Sequence, residues 1–187
     1  NETNCINIFE KIFIYNIGFP IQTNKYNNNN IEIINDDTNQ ELYEGHTLDK
    51  IREFSINNLG TQILYLHTKG VSYENDKQNI NDWIDMMLYF VVEKNKLCTD
   101  ILNRGFDTVG CNYLKVYDPL TPVHYSGNFW WASSNYLSKL PIINNKSKKE
   151  ESEFWLCQNN PKLYILHNSG VNHYHSLYPK DKYIETQ

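Results

Sequence analysis

The sequence lacks three features that would place it in familiar classes. It has no cluster of basic residues, and its net charge is −5 with a pI near 5.7, which counts against binding to a nucleic-acid polymer. No apolar run approaches the roughly 20 residues that a membrane span needs, so we expect none. The start of the chain also lacks the basic and apolar segments of a signal peptide. We therefore expect a cytoplasmic protein.

Cysteine, alanine and arginine are also scarce. The four cysteines, Cys5, Cys98, Cys111 and Cys157, form no C-x-x-C pair, so we expect neither a zinc site nor a disulfide framework, but buried free thiols. The only alanine is Ala132, whereas asparagine occurs 27 times. Asparagine, lysine, isoleucine and tyrosine share AT-rich codons, so this bias indicates the composition of the genome and not a function.

The sequence does contain an alternation of strand and helix signals. Its 187 residues, 40% of them hydrophobic, suffice for one domain with a sizeable core. The alternation predicts an α/β fold with a mostly parallel central sheet flanked by helices. Residues 7–15 predict either a buried helix or a strand, because apolar runs this short are ambiguous. The other predicted strands cover residues 31–34, 62–66, 107–112 and 163–166, and the predicted helices cover residues 47–57, 81–103, 134–140 and 153–157.

The first motif, His67-Thr68-Lys69-Gly70, directly follows the predicted buried strand 62–66. Ligands of α/β sheets bind beyond the carboxyl ends of the strands. Lysine supplies a compact positive charge with three donors, which suits a phosphate. Histidine binds a phosphate or a metal. The alternative interpretation is an ordinary polar turn after a strand.

The second motif is HYSGNFWWA at residues 124–132. Trp130 and Trp131 point to opposite faces if they are extended, which predicts that one packs in the core while the other lines a cleft. Ser126 and Asn128 flank Gly127, where the backbone could approach a ligand closely. Aromatic faces beside hydrogen-bonding groups suit a sugar ring, although core packing alone would explain either tryptophan.

Two further groups carry titratable side chains. A carboxylate at a helix start, such as Glu151 or Glu153, can act as a general base or simply favour the helix dipole. His173 and His175 would share one face of an extended strand, where they could bind a metal, face a phosphate or serve the structure alone. The six histidines also leave open a metal-dependent hydrolase.

The order of these motifs resembles a family of small GT-A-type glycosyltransferases that is common in large DNA viruses of the mimivirus kind and also occurs in bacteria. The resemblance spans roughly residues 44–175. It implies a single GT-A-like nucleotide-sandwich domain over residues 1–187, and a viral source would place the protein in the host cytoplasm or the viral factory. The matching segments are ILYLHTKGVS (63–72), DWIDMM (82–87), VGCN (109–112), HYSGNFWWA (124–132) and ESEFWL (151–156).

The resemblance implies a reaction and a site. The reaction is transfer of a sugar, with inversion, from a UDP-, GDP- or dTDP-sugar donor to a hydroxyl of a glycan or protein acceptor. Glu153 is the implied base and Glu151 the second choice, and residues 144–152 could close over the donor as a lid. The implied nucleotide-sugar site comprises His67, Lys69, Asn112, Ser126, Gly127, Asn128, Trp130, Trp131, His173 and His175.

One departure from the family concerns the metal. Family members hold a divalent cation on the donor diphosphate with an Asp-x-Asp motif, and His67-Thr68-Lys69 takes that place here. Lys69 could neutralise the diphosphate instead, so a requirement for Mn or Mg stays open, with His67, His173 and His175 as candidate ligands. The departure also raises an alternative function, a non-catalytic GT-A-like domain that binds glycans or serves in assembly.

A second departure concerns the N-terminus. A GT-A domain begins with a strand and turn that hold the nucleotide base, whereas residues 1–19 resemble the helix after that strand. We therefore expect either a short first strand or a chain that belongs to a longer polypeptide, and the identity of the base is not predicted.

Overall fold

The structure is a computed structural model that describes residues 5–21, 29–36, 44–69, 78–114, 122–144 and 148–184. Its strands are β1 (Ile12–Ile17), β2 (Ile31–Asp36), β3 (Gln62–Tyr65), β4 (Thr108–Cys111), β5 (Tyr113–Leu114), β6 (His124–Tyr125), β7 (Trp130–Ser133) and β8 (Leu163–His167). Its α-helices are α1 (Gly45–Asn57), α2 (Gln78–Leu88), α3 (Asn95–Asn103), α4 (Ser134–Leu137) and α5 (Lys149–Trp155). A π-helical turn spans Tyr89–Glu93, and 3-10 turns span Cys5–Ile8 and Lys180–Lys182.

The central sheet has four strands in the order β3-β7-β4-β8. Strand β7 is antiparallel to both β3 and β4, whereas β4 and β8 are parallel. The predicted α/β class is confirmed, but the prediction of a mostly parallel central sheet is wrong. The reason is that the connection from β4 to β7 contains the antiparallel pair β5 and β6. The chain thereby reverses direction, and an antiparallel neighbour needs no crossover helix.

A separate two-stranded sheet precedes the central one. Strands β1 and β2 pair in parallel, with Ile12 opposite Ile31 and Ile17 opposite Asp36. Residues 12–17 therefore form a strand, so of the two alternatives predicted for residues 7–15 the strand is confirmed and the helix is wrong. Four isoleucine, phenylalanine and tyrosine residues in succession favour an extended chain because branched and aromatic side chains pack well on a pleated surface.

Two hydrophobic clusters cover the faces of the central sheet. Trp131 packs in the cluster that includes α2 and α3, and its Nε1 donates to the carbonyl of Val91 over 2.6 Å. Trp130 packs in the cluster that includes α1, α4 and α5. The prediction that the two rings point to opposite faces is confirmed. The expectation that one of them lines a cleft is wrong, because their exposed fractions are 0% and 4%.

The long helix predicted over residues 81–103 is interrupted. The N–H of Lys94 donates to the carbonyl of Tyr89 over 3.1 Å, a bond that spans five residues and makes the turn between α2 and α3 π-helical. Both halves still bury the predicted face, as Trp83 and Ile101 show. The π-helical segment is a single turn. The apolar residues before and after it therefore still follow a helical period, and the sequence pattern does not reveal the interruption.

Two helices begin earlier than predicted. Helix α1 begins at Gly45 instead of after Thr47. Helix α5 begins at Lys149, so part of the predicted loop 144–152 is helical, and residues 145–147 lie outside the described residues. Lysine and glutamate have high helix propensity, and Glu150 and Glu151 lie in the first turn, where acidic residues favour the helix dipole.

The predictions about cysteines and membrane spans can be compared with the structure. Cys98, Cys111 and Cys157 are buried free thiols, as predicted, whereas the side chain of Cys5 lies outside the described residues. Burial raises the pKa of Cys98 and of Cys157 to about 12. In the described part of the chain, none of the helices has the length and hydropathy that crossing a bilayer requires.

Candidate functional site

Strands β3, β4 and β8 end at the same edge of the central sheet, because β7 lies antiparallel between β3 and β4. Near this edge, Trp130 pairs with Tyr65 on one side and with Gly110 on the other. Carboxyl ends of strands are the places where α/β sheets bind ligands. We call the group of predicted residues gathered here the carboxyl-edge site. It comprises His67, Lys69, Asn112, Ser126, Gly127, Asn128 and His173.

The imidazole of His67 is held at both nitrogens. Its Nδ1 lies 3.1 Å from Oε1 of Glu44, and its Nε2 lies 3.1 Å from the carbonyl oxygen of Gly127. Each contact needs one proton, so the Glu44–His67 pair holds two protons, as an ion pair or as a neutral pair. Burial lowers the pKa of His67, whereas the Glu44 carboxylate and the Gly127 carbonyl raise it. Neither ring nitrogen is left to bind a phosphate or a metal in this arrangement.

Glu44 is a residue of this site that sequence reasoning missed. Its Oε2 accepts hydrogen bonds from Nδ2 of Asn128 over 2.7 Å and from the hydroxyl of Tyr65 over 3.3 Å. Glu44 occupies the N-cap position of α1, but its side chain makes no capping bond. The only signal in the sequence is an acid at a helix start, which ordinarily indicates capping or an interaction with the helix dipole.

The ammonium group of Lys69 lies against an aromatic ring and near a carboxylate. Its Nζ is 4.0 Å from the ring centroid of Trp83, a cation–π contact. Burial lowers the pKa of Lys69, Glu153 raises it and Lys149 lowers it. The charge of Glu153 also raises the pKa of His67. The charge of Glu153, in α5, thus raises the pKa of both His67 and Lys69.

His173 is buried beside the end of β4. Its ring stacks on Trp83 with centroids 5.1 Å apart and an interplanar angle of 7°. Its Nε2 lies 3.1 Å from Nδ2 of Asn112 and 2.8 Å from Oγ of Ser169. Burial lowers the pKa of His173 to about 4, so the ring is neutral at pH 7 and its Nε2 accepts from the amide. The prediction that His173 and His175 share a strand face is wrong, because residues 173–175 form a turn with His173 buried and His175 exposed.

The turn before β7 is packed against helix α2. Gly127 has a φ of +95°, and a Cβ at this position would collide with the side chains of Met87 and Trp83. Asn128 has a φ of 56°, and its Oδ1 accepts from Nε1 of Trp130 over 2.9 Å. In the structure, the close backbone approach predicted at Gly127 is therefore made to the core helix.

Ser126 joins this turn to the end of β4. Its N–H donates to the carbonyl of Asn112 over 2.9 Å. Asn112 itself has a φ of 51°, and its Oδ1 accepts from the N–H of Ser169 over 2.8 Å. Three loops of the carboxyl-edge site are thus connected through one asparagine.

The two candidate bases lie in α5, and both are partly buried. Because the helix begins at Lys149, the expectation that Glu153 stands at a helix start is wrong, and Glu151 lies in the first turn instead. The neighbouring Phe154 packs edge-on against His124 with ring centroids 5.0 Å apart. This contact attaches α5 to β6, close to the turn of the carboxyl-edge site.

In the described part of the chain, the candidate metal ligands are engaged with protein atoms or stand apart from one another. Among the residues that the structure describes, no three or more His, Cys, Asp and Glu side chains are grouped so that they could hold an ion. His67 uses both ring nitrogens in contacts with protein atoms, and His173 uses its Nε2 in the same way.

Comparison with known proteins and family models identifies one family. No curated protein and no solved structure matches it. A family model described as "Domain of unknown function (DUF8361)" matches residues 5–178. This range includes every residue of the carboxyl-edge site and both candidate bases. The chain therefore belongs to the DUF8361 family of domains of unknown function.

Proposed function

We propose that the chain is a glycosyltransferase with a GT-A-like domain, which transfers a sugar from a nucleotide-sugar donor to a hydroxyl of a glycan or protein acceptor with inversion. One observation carries this proposal. The charge of Glu153 raises the pKa of Lys69, so the carboxylate and the ammonium lie near each other although they come from opposite ends of the motif series. A cation for the leaving diphosphate and a base for the acceptor are the two charges that this reaction requires.

In the proposed reaction, the acceptor oxygen forms a bond to the anomeric carbon while the bond from that carbon to the diphosphate breaks. The acceptor proton passes to Glu153, because a hydroxyl is a poor nucleophile until its proton is accepted. The electron pair of the broken bond leaves with the diphosphate, whose developing charge Lys69 stabilises. Attack from the face opposite to the leaving group inverts the anomeric configuration.

The segment after β3, which takes the place of the Asp-x-Asp motif, does not supply the ligands of a Mn or Mg site. Such ions prefer carboxylate and water oxygens, whereas the segment after β3 supplies an imidazole whose nitrogens are both occupied and an ammonium. The proposed reaction therefore assigns no step to a metal. In the proposed reaction, Lys69 neutralises the charge of the diphosphate. In GT-A-type glycosyltransferases, the Asp-x-Asp motif does this through a bound cation.

The test is a screen for release of nucleoside diphosphate from UDP-, GDP- and dTDP-sugars, with and without manganese. We expect turnover of one donor class, with little dependence on manganese. Glu153→Gln should lower this turnover by about a hundredfold or more, the usual scale for loss of a general base, while the far-UV circular dichroism stays unchanged. Glu150→Gln is the matched control, because Glu150 lies in the same helix and is exposed. Full activity in the Glu153→Gln protein would contradict the assignment of the base.

A second candidate function is a non-catalytic domain that binds glycans or serves in assembly. It is favoured by the bonds of His67, which commit both ring nitrogens to protein atoms. Titration calorimetry distinguishes the two functions. A nucleotide-sugar donor should release or absorb heat if the chain is a transferase, whereas a glycan-binding or assembly domain should give no signal with any of the three donor classes.

A further inference from the structure

Glu44 connects the two motifs that make up most of the carboxyl-edge site. One carboxylate oxygen faces Nδ1 of His67 at 3.1 Å, and the other accepts from Nδ2 of Asn128 at 2.7 Å. Both partners of the His67 contact are largely withdrawn from solvent, with side-chain exposures of 14% each. A carboxylate shielded in this way is held firmly, because its contacts are screened much less than those of a surface ion pair.

The two partners of Glu44 are themselves fixed to the turn before β7. His67 continues through Nε2 to the carbonyl of Gly127, and Asn128 continues through Oδ1 to Nε1 of Trp130. The contacts form a closed ring. It runs from Glu44 to His67, from His67 to the carbonyl of Gly127, and from the next residue, Asn128, back to Glu44. Such a ring restrains the distance between the end of β3 and the turn.

The contacts of Glu44 also bear on Lys69 and on the asparagine in the turn. Lys69 follows His67 by two residues, so a held imidazole restrains the backbone near the ammonium. Asn128 adopts a φ of 56°, a conformation that costs free energy in a residue other than glycine. The bond to Glu44 is one of two side-chain bonds that stabilise this conformation.

We infer that Glu44 is the positioning residue of the carboxyl-edge site, which holds His67 and Asn128 and thereby places Lys69 and the turn before β7 for the nucleotide-sugar diphosphate. This inference rests on the proposed function for its ligand. It assigns to Glu44 no contact with the donor and no proton transfer. Its effect on the reaction is exerted through hydrogen-bond geometry.

The inference is tested with two substitutions that separate geometry from charge. Glu44→Ala removes all three contacts. Glu44→Gln keeps them, because its amide oxygen can accept from Asn128 and Tyr65 while its NH₂ donates to Nδ1 of a neutral His67. We expect Glu44→Ala to lower kcat/KM for the donor by about tenfold to a hundredfold, the usual effect of removing a group that orients a functional side chain. Glu44→Gln should keep most of the kcat/KM of the unchanged protein.

Glu53→Gln is the matched control, because Glu53 lies on α1 and is exposed, with a surface ion pair to Lys50. We expect its kcat/KM to equal that of the unchanged protein. If Glu44→Ala keeps full kcat/KM, or if Glu44→Gln loses as much as Glu44→Ala, the inference is overturned, since the second result would mean that charge and not geometry matters.

A measurement without donor separates this inference from the proposed function. The ring N–H of His67 that faces Gly127 should give a proton signal protected from exchange with water in the unchanged protein and in Glu44→Gln, and this signal should be lost in Glu44→Ala. The His67→Asn spectrum identifies the signal. If it persists in Glu44→Ala, Glu44 does not position His67, whatever the enzyme assay shows. If the signals behave as expected but no donor is turned over, the proposed function fails and the positioning role stands.

Discussion

The ammonium group of Lys69 lies 4.0 Å from the ring centroid of Trp83. Trp83 is 1% exposed and belongs to the hydrophobic cluster of α2, so the position of this cation is set by the core and not by a loop alone. A cation over a desolvated indole gains about 2 kcal/mol. The charge is thus fixed in place before a ligand arrives, which reduces the cost of reorganisation on binding.

Replacing Lys69 should weaken binding of a nucleoside diphosphate. In Lys69→Met the stem is kept and the charge is lost, so the phosphates lose a charged hydrogen bond worth about 1.5–3 kcal/mol. We expect the Kd of the preferred nucleoside diphosphate, measured by calorimetry, to rise at least about tenfold. The unfolding free energy should also fall, by at most about 2 kcal/mol, because the cation–π contact with Trp83 is lost while the stem still packs.

The control for this substitution is Lys162→Met. Lys162 also makes a cation–π contact, at 4.5 Å from the ring centroid of Phe106, but it precedes β8 and so lies at the opposite edge of the sheet. Its replacement should leave the Kd unchanged. Equal weakening in both variants would mean that net charge, and not a site at the carboxyl ends, governs binding.

The sequence predicts the parts of this site that depend on where strands end. Buried strands are recognisable from their apolar runs, so the residues that follow β3 and β4 could be assigned to one edge. His67 and Lys69 were found in this way, whereas Gly127 came from the HYSGNFWWA motif and Asn112 from the family resemblance. The opposite orientation of Trp130 and Trp131 follows from the period of an extended chain and needs no tertiary information.

The sequence does not predict the contacts that depend on tertiary packing. Glu44 has no motif around it, and only the fold reveals that its carboxylate points to His67 instead of capping α1. The burial of both tryptophans was missed because a sheet covered on two faces leaves no half-exposed position. The sequence analysis predicts no strand over β7, and a strand signal would not have given its antiparallel direction.

Gly127→Ala should destabilise the fold more than an ordinary glycine substitution. Alanine at a φ of +95° is strained, and its Cβ would collide with the end of the buried Met87 side chain and crowd the ring of Trp83. Backbone strain of about 1 kcal/mol and overpacking of about 1–3 kcal/mol add to the cost. We therefore expect the free energy of unfolding, measured with urea, to fall by about 2–4 kcal/mol.

Gly105→Ala separates the two contributions to this loss. Gly105 has a φ of +84°, but nothing lies within 4 Å of a Cβ at this position, so only the strain should count, at about 1 kcal/mol. If the two variants lose the same free energy, the turn before β7 is not packed against α2 as the structure shows.

Protonation of His173 should destabilise the protein in mild acid. Burial lowers its pKa to about 4 from an ordinary value of 6.5, so between these values the unfolded chain binds a proton that the folded chain does not. The free energy of unfolding therefore falls as the pH falls, and the contribution of this residue amounts to about 2 kcal/mol between pH 7 and pH 5. His173→Gln should remove that contribution, because its amide can accept from Asn112 at any pH.

The measurement compares urea unfolding at pH 7 and pH 5 for the unchanged protein, His173→Gln and His175→Gln. His175 is exposed, so its replacement should leave the pH dependence as it is, whereas His173→Gln should flatten it by about 2 kcal/mol. Other carboxylates and histidines titrate in the same range, but they are common to all three proteins and cancel in the comparison. Identical pH dependence in His173→Gln and the unchanged protein would show that the His173 imidazole is solvated in the folded state and would contradict its burial beside Trp83.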